Sequence, residues 1–592
     1  MTAGFNIIYT KQNFLYHKRM KKVYFYRICL FLTVTVLTYA SFSQEALKST
    51  EEEYYDFLSI QGITIRPSLN YRTLSDSEWN FTEKEETAGG TELSHPWQNN
   101  NLGSKRALWQ PQEQSESFYL KGVPQGIFVK LYGPEWYNSY NTAAPYGQND
   151  GALWQGKGYN TSLTAGVRLE AYGLELTVKP QLCWQENREF DIMPSNTDSE
   201  YGYFWGYGKN IGCDAPQRFG DSSFWTFDWG DTEIRYTWHT LTVGFGTQSP
   251  WLGPAWLNPM LGSNNAGTYP KIDIGLRRTK VVIPGLNWYI GDIEGRVWTG
   301  LLTESDYFDN DSSNDKRMLN AISAAYKPSF IPGFTFGLNR IFLTKWKTEN
   351  LKYLGRLFTL SHENDVTGEG EDQKVSLFAD WTFEKIGFEV FGELGIDDFT
   401  SQSTANPFHT AIYTVGAKQY IPLSFSKINP KFKNYKSELI FEWNNFEMSQ
   451  DFQMQWRYMG YYSHGKIVQG YTQNGQILGA GSGYFGNSQY LAYKIFFPRG
   501  YLMPYFHRSS PDNNYVYNMT IGNAINSDSE EYTEHYGLFK TYKEFGAEVL
   551  YYITPSFSVS GSFGYVRTFF EKYTKEILDD DLYFMAEIKY RF

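Results

Sequence analysis

Phe584, Ala586, Ile588, Tyr590 and Phe592 alternate with Met585, Glu587, Lys589 and Arg591 at the end of the chain. Successive side chains of a strand point to opposite faces, so this stretch reads as a strand with one greasy face and one charged face. Residues 161–182 show the same pattern twice. Leu163, Ala165, Val167, Leu169 and Ala171 oppose Thr164, Arg168 and Glu170, and then Leu174, Leu176 and Val178 oppose Glu175, Thr177 and Lys179. The two residues between them, Tyr172-Gly173, suit a tight hairpin turn. The chain holds too little other apolar sequence to cover so many apolar faces. They are therefore read as facing lipid, with the charged faces turned to a wet lumen.

From residue 118 two kinds of connection alternate. Short ones fall at 172–173, 239–240, 284–285, 328–333, 384–386, 499–500 and 554–556, with a longer one at about 421–434. Long polar stretches fall at 133–160, 184–228, 249–271, 304–317, 346–372, 398–408, 447–488, 510–540 and 571–581. Outer-membrane barrels keep short turns in the periplasm and long loops outside, so one hairpin orients every strand. The expectation is an all-β fold, a transmembrane antiparallel β-barrel of about eighteen strands over 118–592. Both chain termini lie on the periplasmic side in this reading. A last strand ending at Phe592 is how such barrels usually finish, and it would engage the barrel-assembly machinery.

Composition agrees with this. Aromatics make up 18% of the 592 residues, while mean hydropathy is −0.48. Tyr and Trp girdles with polar loops give that combination. After residue 43 no apolar run reaches the roughly 18 residues of a membrane helix. Residues 1–43 read as a secretory signal, with a basic start around Met20-Lys21-Lys22, an apolar run from Ile28 to Ala40, and Ser41-Phe42-Ser43 before Gln44. Met20 is a candidate initiator. Cys29 lies in the apolar run without a lipobox. Residues 1–43 hold six of the 53 basic residues and no acid, leaving 47 against 64 acids, a net charge of −17. That balance argues against nucleic acid as a partner. Residues 44–117 read as a periplasmic segment, helical over Glu51–Leu58 and irregular beyond, packed against or into the barrel mouth. Cys183 ends a strand and Cys213 lies in the next long loop. In an exported protein the two are expected to form a disulfide tying that loop to the rim.

The unusual residues fall in the long loops. Residues 146–158 hold Asn149, Asp150 and Trp154; residues 250–267 hold Trp251, Trp256, Asn264 and Asn265; residues 461–476 hold Tyr462, Gln469 and Tyr471. Aromatic faces suit the C–H side of a sugar ring, and planar amides and carboxylates suit its hydroxyls. These ten residues are the candidate glycan contacts, converging on the external rim if the topology holds.

Several blocks in one order also carry a family resemblance. Asn149-Asp150-Gly151-Ala152-x-Trp154-x-Gly156-x-Gly158, Pro216-x-Arg218-Phe219-Gly220, Trp251-Leu252-Gly253-Pro254 with Ser263-Asn264-Asn265-Ala266, Glu304-Ser305-Asp306-Tyr307-Phe308, Gly387–Glu393 and Gln469-Gly470-Tyr471-Thr472 are similar to the capsule assembly protein Wzi family of the outer membrane. Tyr54–Leu58 and the His95-Pro96-Trp97 corner extend the resemblance towards the N-terminus. The resemblance implies an eighteen-stranded barrel with a helical periplasmic portion, acting as a lectin-like anchor for capsular polysaccharide. Thr247-Gln248-Ser249 and Asn474 depart from the family pattern. Relatives in gliding bacteria are associated with the moving surface machinery, so a motility or secretion component is the alternative, and a diffusion porin the second. Surface polysaccharide and outer-membrane lipid are the expected partners, and a monomer is expected.

Other motifs fail. Gly481-Ser482-Gly483-Tyr484-Phe485-Gly486 has the dinucleotide spacing without a βαβ unit around it. Asp309-x-Asp311-x-Ser313 begins like a calcium loop, but Asn314 and Asn320 stand where an EF-hand needs Gly and Glu, leaving at most a weak loop site. Glu389 and Glu393 share one strand face as paired glycosidase carboxylates do. A hydrated lumen face explains them better. No enzyme, cofactor or metal is expected.

Overall fold

Glu233–Trp238 shows how the alternation becomes architecture: Glu233, Arg235 and Thr237 are buried, while Ile234, Tyr236 and Trp238 are exposed. The computed structural model describes residues 49–82, 95–98, 115–116, 121–195, 197–202, 213–359, 363–364, 368–398, 410–423, 434–447, 460–517, 534–575 and 578–591. The signal segment 1–43, the initiator assignment at Met20 and the terminal Phe592 lie outside the described residues.

The chain forms a closed antiparallel barrel of eighteen strands. β1 is Ile127–Asn141 and β2 is Gly158–Ala171. β3 runs over Leu174–Val178 and Gln181–Gln185, and β4 over Phe224–Asp228 and Glu233–Trp238. Each of the two is one strand interrupted, β3 at Pro180, which has no N–H for the ladder, and both halves of β3 pair with β2. The next strands are β5 Leu241–Gly246, β6 Lys271–Ile283, β7 Trp288–Thr303, β8 Lys316–Pro328 and β9 Phe334–Lys345. β10 Asp372–Phe383, β11 Phe388–Asp397, β12 Ala411–Pro422, β13 Lys436–Asn445 and β14 Asn487–Phe497 follow. β15 Gly500–Ser510, β16 Thr541–Thr554, β17 Phe557–Phe569 and β18 Leu578–Tyr590 complete the wall. β18 pairs with β1, Tyr583 opposite Asn141 and Lys589 opposite Glu135, which leaves no free edge.

The hairpin at Tyr172-Gly173 forms as expected, with both residues at positive φ (52° and 82°), the conformation a tight two-residue turn requires. Short turns lie at one end of the barrel and long loops at the other. Exposed Trp238, Trp288 and Trp381 ring the short-turn end, and exposed Trp136, Trp225 and Trp443 lie towards the other, as interface girdles do. On the last strand Leu582, Phe584 and Ile588 are exposed and Asp581, Lys589 and Arg591 are buried.

Much of the lumen is filled. A helix, α1 (Thr50–Ser59), is capped by Ser49, whose hydroxyl accepts from Glu52 N at 3.1 Å, and carries three acids in its first turn. It lies inside the barrel. Phe57 stacks on Phe496 at 4.4 Å, and Tyr54 stacks on Trp97 at 4.1 Å. Trp97 Nε1 donates to the carbonyls of Phe497 and Gly500, both at 3.0 Å, so the His-Pro-Trp corner is pinned to the wall. The irregular chain after α1 needs acceptors for its amides, because no ladder supplies them. Glu294 of β7 accepts from the backbone N–H of Leu69, Asn70 and Tyr71 at 2.8, 2.9 and 2.7 Å. The lumen-facing carboxylates thus grip a plug.

The expected disulfide is absent: Cys183 and Cys213 are both free and buried. Cys183 packs with Ala152 and Leu153 against the wall, whereas Cys213 belongs to the central cluster around Met260 and Trp298. Each sulfur fills its own apolar site, and the loop is held by packing instead. Alkylation of the denatured, unreduced protein should therefore label both thiols; a linked 183–213 peptide pair in mass spectrometry would contradict this.

Candidate functional site

The loop 142–157 folds over the long-loop end of the lumen. Asn149 and Gly151 both take positive φ (63° and 65°), turning the chain so that its polar groups meet the neighbouring loop. Gly151 N donates to Asn264 O at 2.7 Å, Asn149 N to Asn265 Oδ1 at 3.2 Å, and Asn149 Nδ2 to Leu257 O at 3.0 Å. Beside this junction lies a cavity of about 510 Å³, walled by the loop and by β14–β18. Trp154, propped on Phe219 at 4.9 Å between ring centroids, stands on one side. Tyr146 stands on another, edge-on to Tyr542 and Tyr583 at 5.7 and 6.3 Å. Tyr146 and Tyr505 donate their hydroxyls to Glu544 at 2.8 and 2.7 Å, and the hydroxyls of Tyr137 and Tyr583 meet at 2.8 Å. The arrangement offers flat apolar faces beside oriented oxygen acceptors and donors.

Of the ten candidate contacts, Asn149, Asp150, Trp154 and Asn265 line this cavity. Trp256 and Asn264 line a second one of about 410 Å³, deeper in the lumen. The other four are buried and line neither cavity. Trp251 is fully buried, its Nε1 donating to Ala255 O at 3.1 Å beneath the Arg72 guanidinium. Tyr462 donates to Met260 O at 2.8 Å and Tyr471 to Leu261 O at 2.7 Å. Gln469 is buried, and its side-chain amide donates to Asn314 O at 3.3 Å. Rings and amides that could grip a sugar here satisfy irregular backbone, a task with the same chemical needs. Tyr146, Tyr542, Glu544 and Tyr583 were not singled out from the sequence. The alternation puts β16 and β18 residues in the lumen, but nothing local says that β18 and β1 close beside the Asn149 loop.

Asp150 lies half-buried between the two cavities. Burial pushes its carboxyl up to about 7, partly opposed by hydrogen bonds from Gln155 and Tyr137. The folded protein then binds a proton more tightly than the unfolded chain, so this residue's contribution to stability falls as pH rises from about 4 to about 7. Thermal melting should show that slope, and Asp150→Asn should flatten it; a variant with the wild-type pH profile would refute the assignment.

Three other clusters are taken up by structural contacts. Glu389 contacts Arg66 at 2.7 Å and Lys418 at 3.1 Å, and Glu393 accepts from Met260 N at 3.3 Å. Both are buried, which corrects the hydrated-face reading and leaves no acid pair about a substrate path. Asp372, Asp397 and Asp398 come together with ion-binding spacing, but Lys374 Nζ sits 2.7 and 2.6 Å from the first two. At the calcium-like stretch Asp309 and Asp311 cap the backbone N–H of Asp311 and Ser313 at 2.7 and 3.0 Å.

No family model matches the chain, and no curated protein matches it. Among solved structures it is similar to the Escherichia coli outer-membrane protein Wzi, involved in group 1 capsule assembly and described as a carbohydrate-binding β-barrel, at 11% identity and a TM-score of 0.50 over 78% of this chain and 85% of that one. It is also similar to OprD of Pseudomonas aeruginosa (9% identity, 78% and 92% covered, TM-score 0.37) and OprB of Pseudomonas putida (13%, 79% and 94%, TM-score 0.35). At these identities the likeness is one of fold. The class is an outer-membrane β-barrel.

Proposed function

We propose that this barrel holds a surface polysaccharide non-covalently at its long-loop end, as a member of the capsule-assembly kind would, and leaves the polymer chemically unchanged. The observation that carries the reading is the cavity of about 510 Å³, lined by Trp154, Tyr146 and Tyr542 beside Glu544 and Asp150, above a lumen that holds a plug. A sugar ring can stack on the aromatic faces while its hydroxyls donate to the carboxylates. The plug packed on the lumen wall favours a holder over a diffusion pore. In this reading the long loops face outward and the short turns face the periplasm.

Each stacked ring contributes about 1 kcal/mol, or roughly fivefold in affinity. One site is therefore weak, and firm retention comes from many barrels gripping one long chain. Purified barrel titrated with the cell's own surface polysaccharide should bind it, and Trp154→Ala and Tyr146→Ala should each weaken binding about fivefold. In cells the double variant should keep the barrel in the membrane and release polymer to the medium. Full retention of polymer by a deletion strain that loses gliding would replace this reading with the motility one.

A further inference from the structure

The cavity's charge bears on which sugars it takes. Four carboxylates line it, those of Asp191, Glu544, Glu548 and Glu571, with the Asp150 carboxyl beside them held neutral at pH 6 by burial, against two lysines and His507. Both lysines are already engaged: Lys540 lies 2.7 Å from Glu571, and Lys572 lies 3.2 Å from Asp191. His507 Nδ1 is 3.7 Å from Glu544. The hydroxyls of Tyr146 and Tyr505 also point to Glu544, so its acceptor character is held in place by neighbours. Glu548 takes the hydroxyl of Tyr501 in the same way. Among the described residues no arginine lines the cavity. The forked donor that normally receives a carboxylate, sulfate or phosphate is therefore missing from a wall rich in acceptors.

We infer that, if the glycan-holding reading is right, the cavity selects sugar units bearing a free amine and rejects those bearing a carboxylate. An ammonium brings three donors and no acceptor, which matches Glu544 and Glu548 across an aromatic floor. A uronate would set its negative charge against theirs in a partly desolvated space, where such repulsion is stronger than in water.

The test uses the full-length barrel in detergent, at pH 6 so that the amine is charged, in low salt with EDTA present to remove bridging divalent ions. The probes are hexamers of glucosamine, N-acetylglucosamine and galacturonate. The glucosamine hexamer should bind roughly tenfold tighter than its N-acetylated form, with the galacturonate hexamer weakest. The preference should shrink as salt rises. In Glu544→Gln/Glu548→Gln, checked for barrel content by circular dichroism, the ratio between the first two probes should fall towards one. A preference that survives in that variant comes from the acidic protein at large, and the inference fails. Equal binding of the galacturonate hexamer overturns the inference but leaves the glycan-holding reading intact. If neither the hexamers nor the cell's own polysaccharide bind, both fail.

Discussion

Arg66→Leu should release the N-terminal plug while the barrel stays closed. The Arg66 guanidinium bridges Asp56, Asp380 and Glu389 at 2.8, 2.6 and 2.7 Å, joining the plug to β10 and β11. Lys418 adds a second cation in direct contact, 2.5 Å from Asp56 and 3.1 Å from Glu389. Without the guanidinium, Asp56 and Glu389 keep only the Lys418 ammonium as a direct ion-pair partner, and Asp380 loses the ion pair it makes to the plug. Breaking a buried ion network by removing one partner costs about 3–5 kcal/mol. The wall does not depend on that network, because its strands pair with one another around the full ring. Hydrogen exchange in α1 should accelerate on the order of a thousandfold with barrel amides still protected. Ion conductance in a planar bilayer should rise. Arg66→Lys should recover only part of the effect, since one ammonium cannot fork to three carboxylates. Unchanged exchange in residues 50–59 would show that the plug is held by other contacts.

Glu442→Gln should weaken glycan binding even though Glu442 lies outside the cavity lining. Its carboxylate accepts from the backbone N–H of Trp256, Leu257 and Asn258 at 2.6, 2.9 and 2.8 Å. An amide offers one acceptor where the carboxylate offered two, and turns its NH₂ towards N–H groups. Leaving such buried donors unmet costs about 2–4 kcal/mol. The loop so freed is the one that holds Asn149 and Gly151 through Leu257, Asn264 and Asn265. Affinity for the polysaccharide should drop about tenfold or more, with faster exchange over 255–267. Faster exchange without a change in affinity would separate this loop from the cavity.

The barrel was legible in the sequence because its signal is local. A period of two in side-chain direction reports facing within one strand, and the length of each connection reports the end at which the strand turns back. The alternation at 163–178, the Tyr172-Gly173 turn and the last strand match the structure for that reason. Asn149, Asp150, Trp154 and Asn265 were also legible as a group, because two of the polar aromatic loops do meet at the mouth.

What only the tertiary structure decided is which loops go in. Trp251, Tyr462 and Tyr471 carry the same side chains whether they face a sugar or a buried carbonyl, so composition cannot separate the two. The choice is made by partners far away in the chain, such as Glu442 for Trp256 and Glu294 for Tyr71. The same holds for Cys183 and Cys213, whose positions allowed a bond until separate apolar clusters claimed each sulfur. Strand facing follows from the geometry of neighbouring residues, whereas the filling of a lumen depends on pairings across it that leave no periodic trace in the sequence.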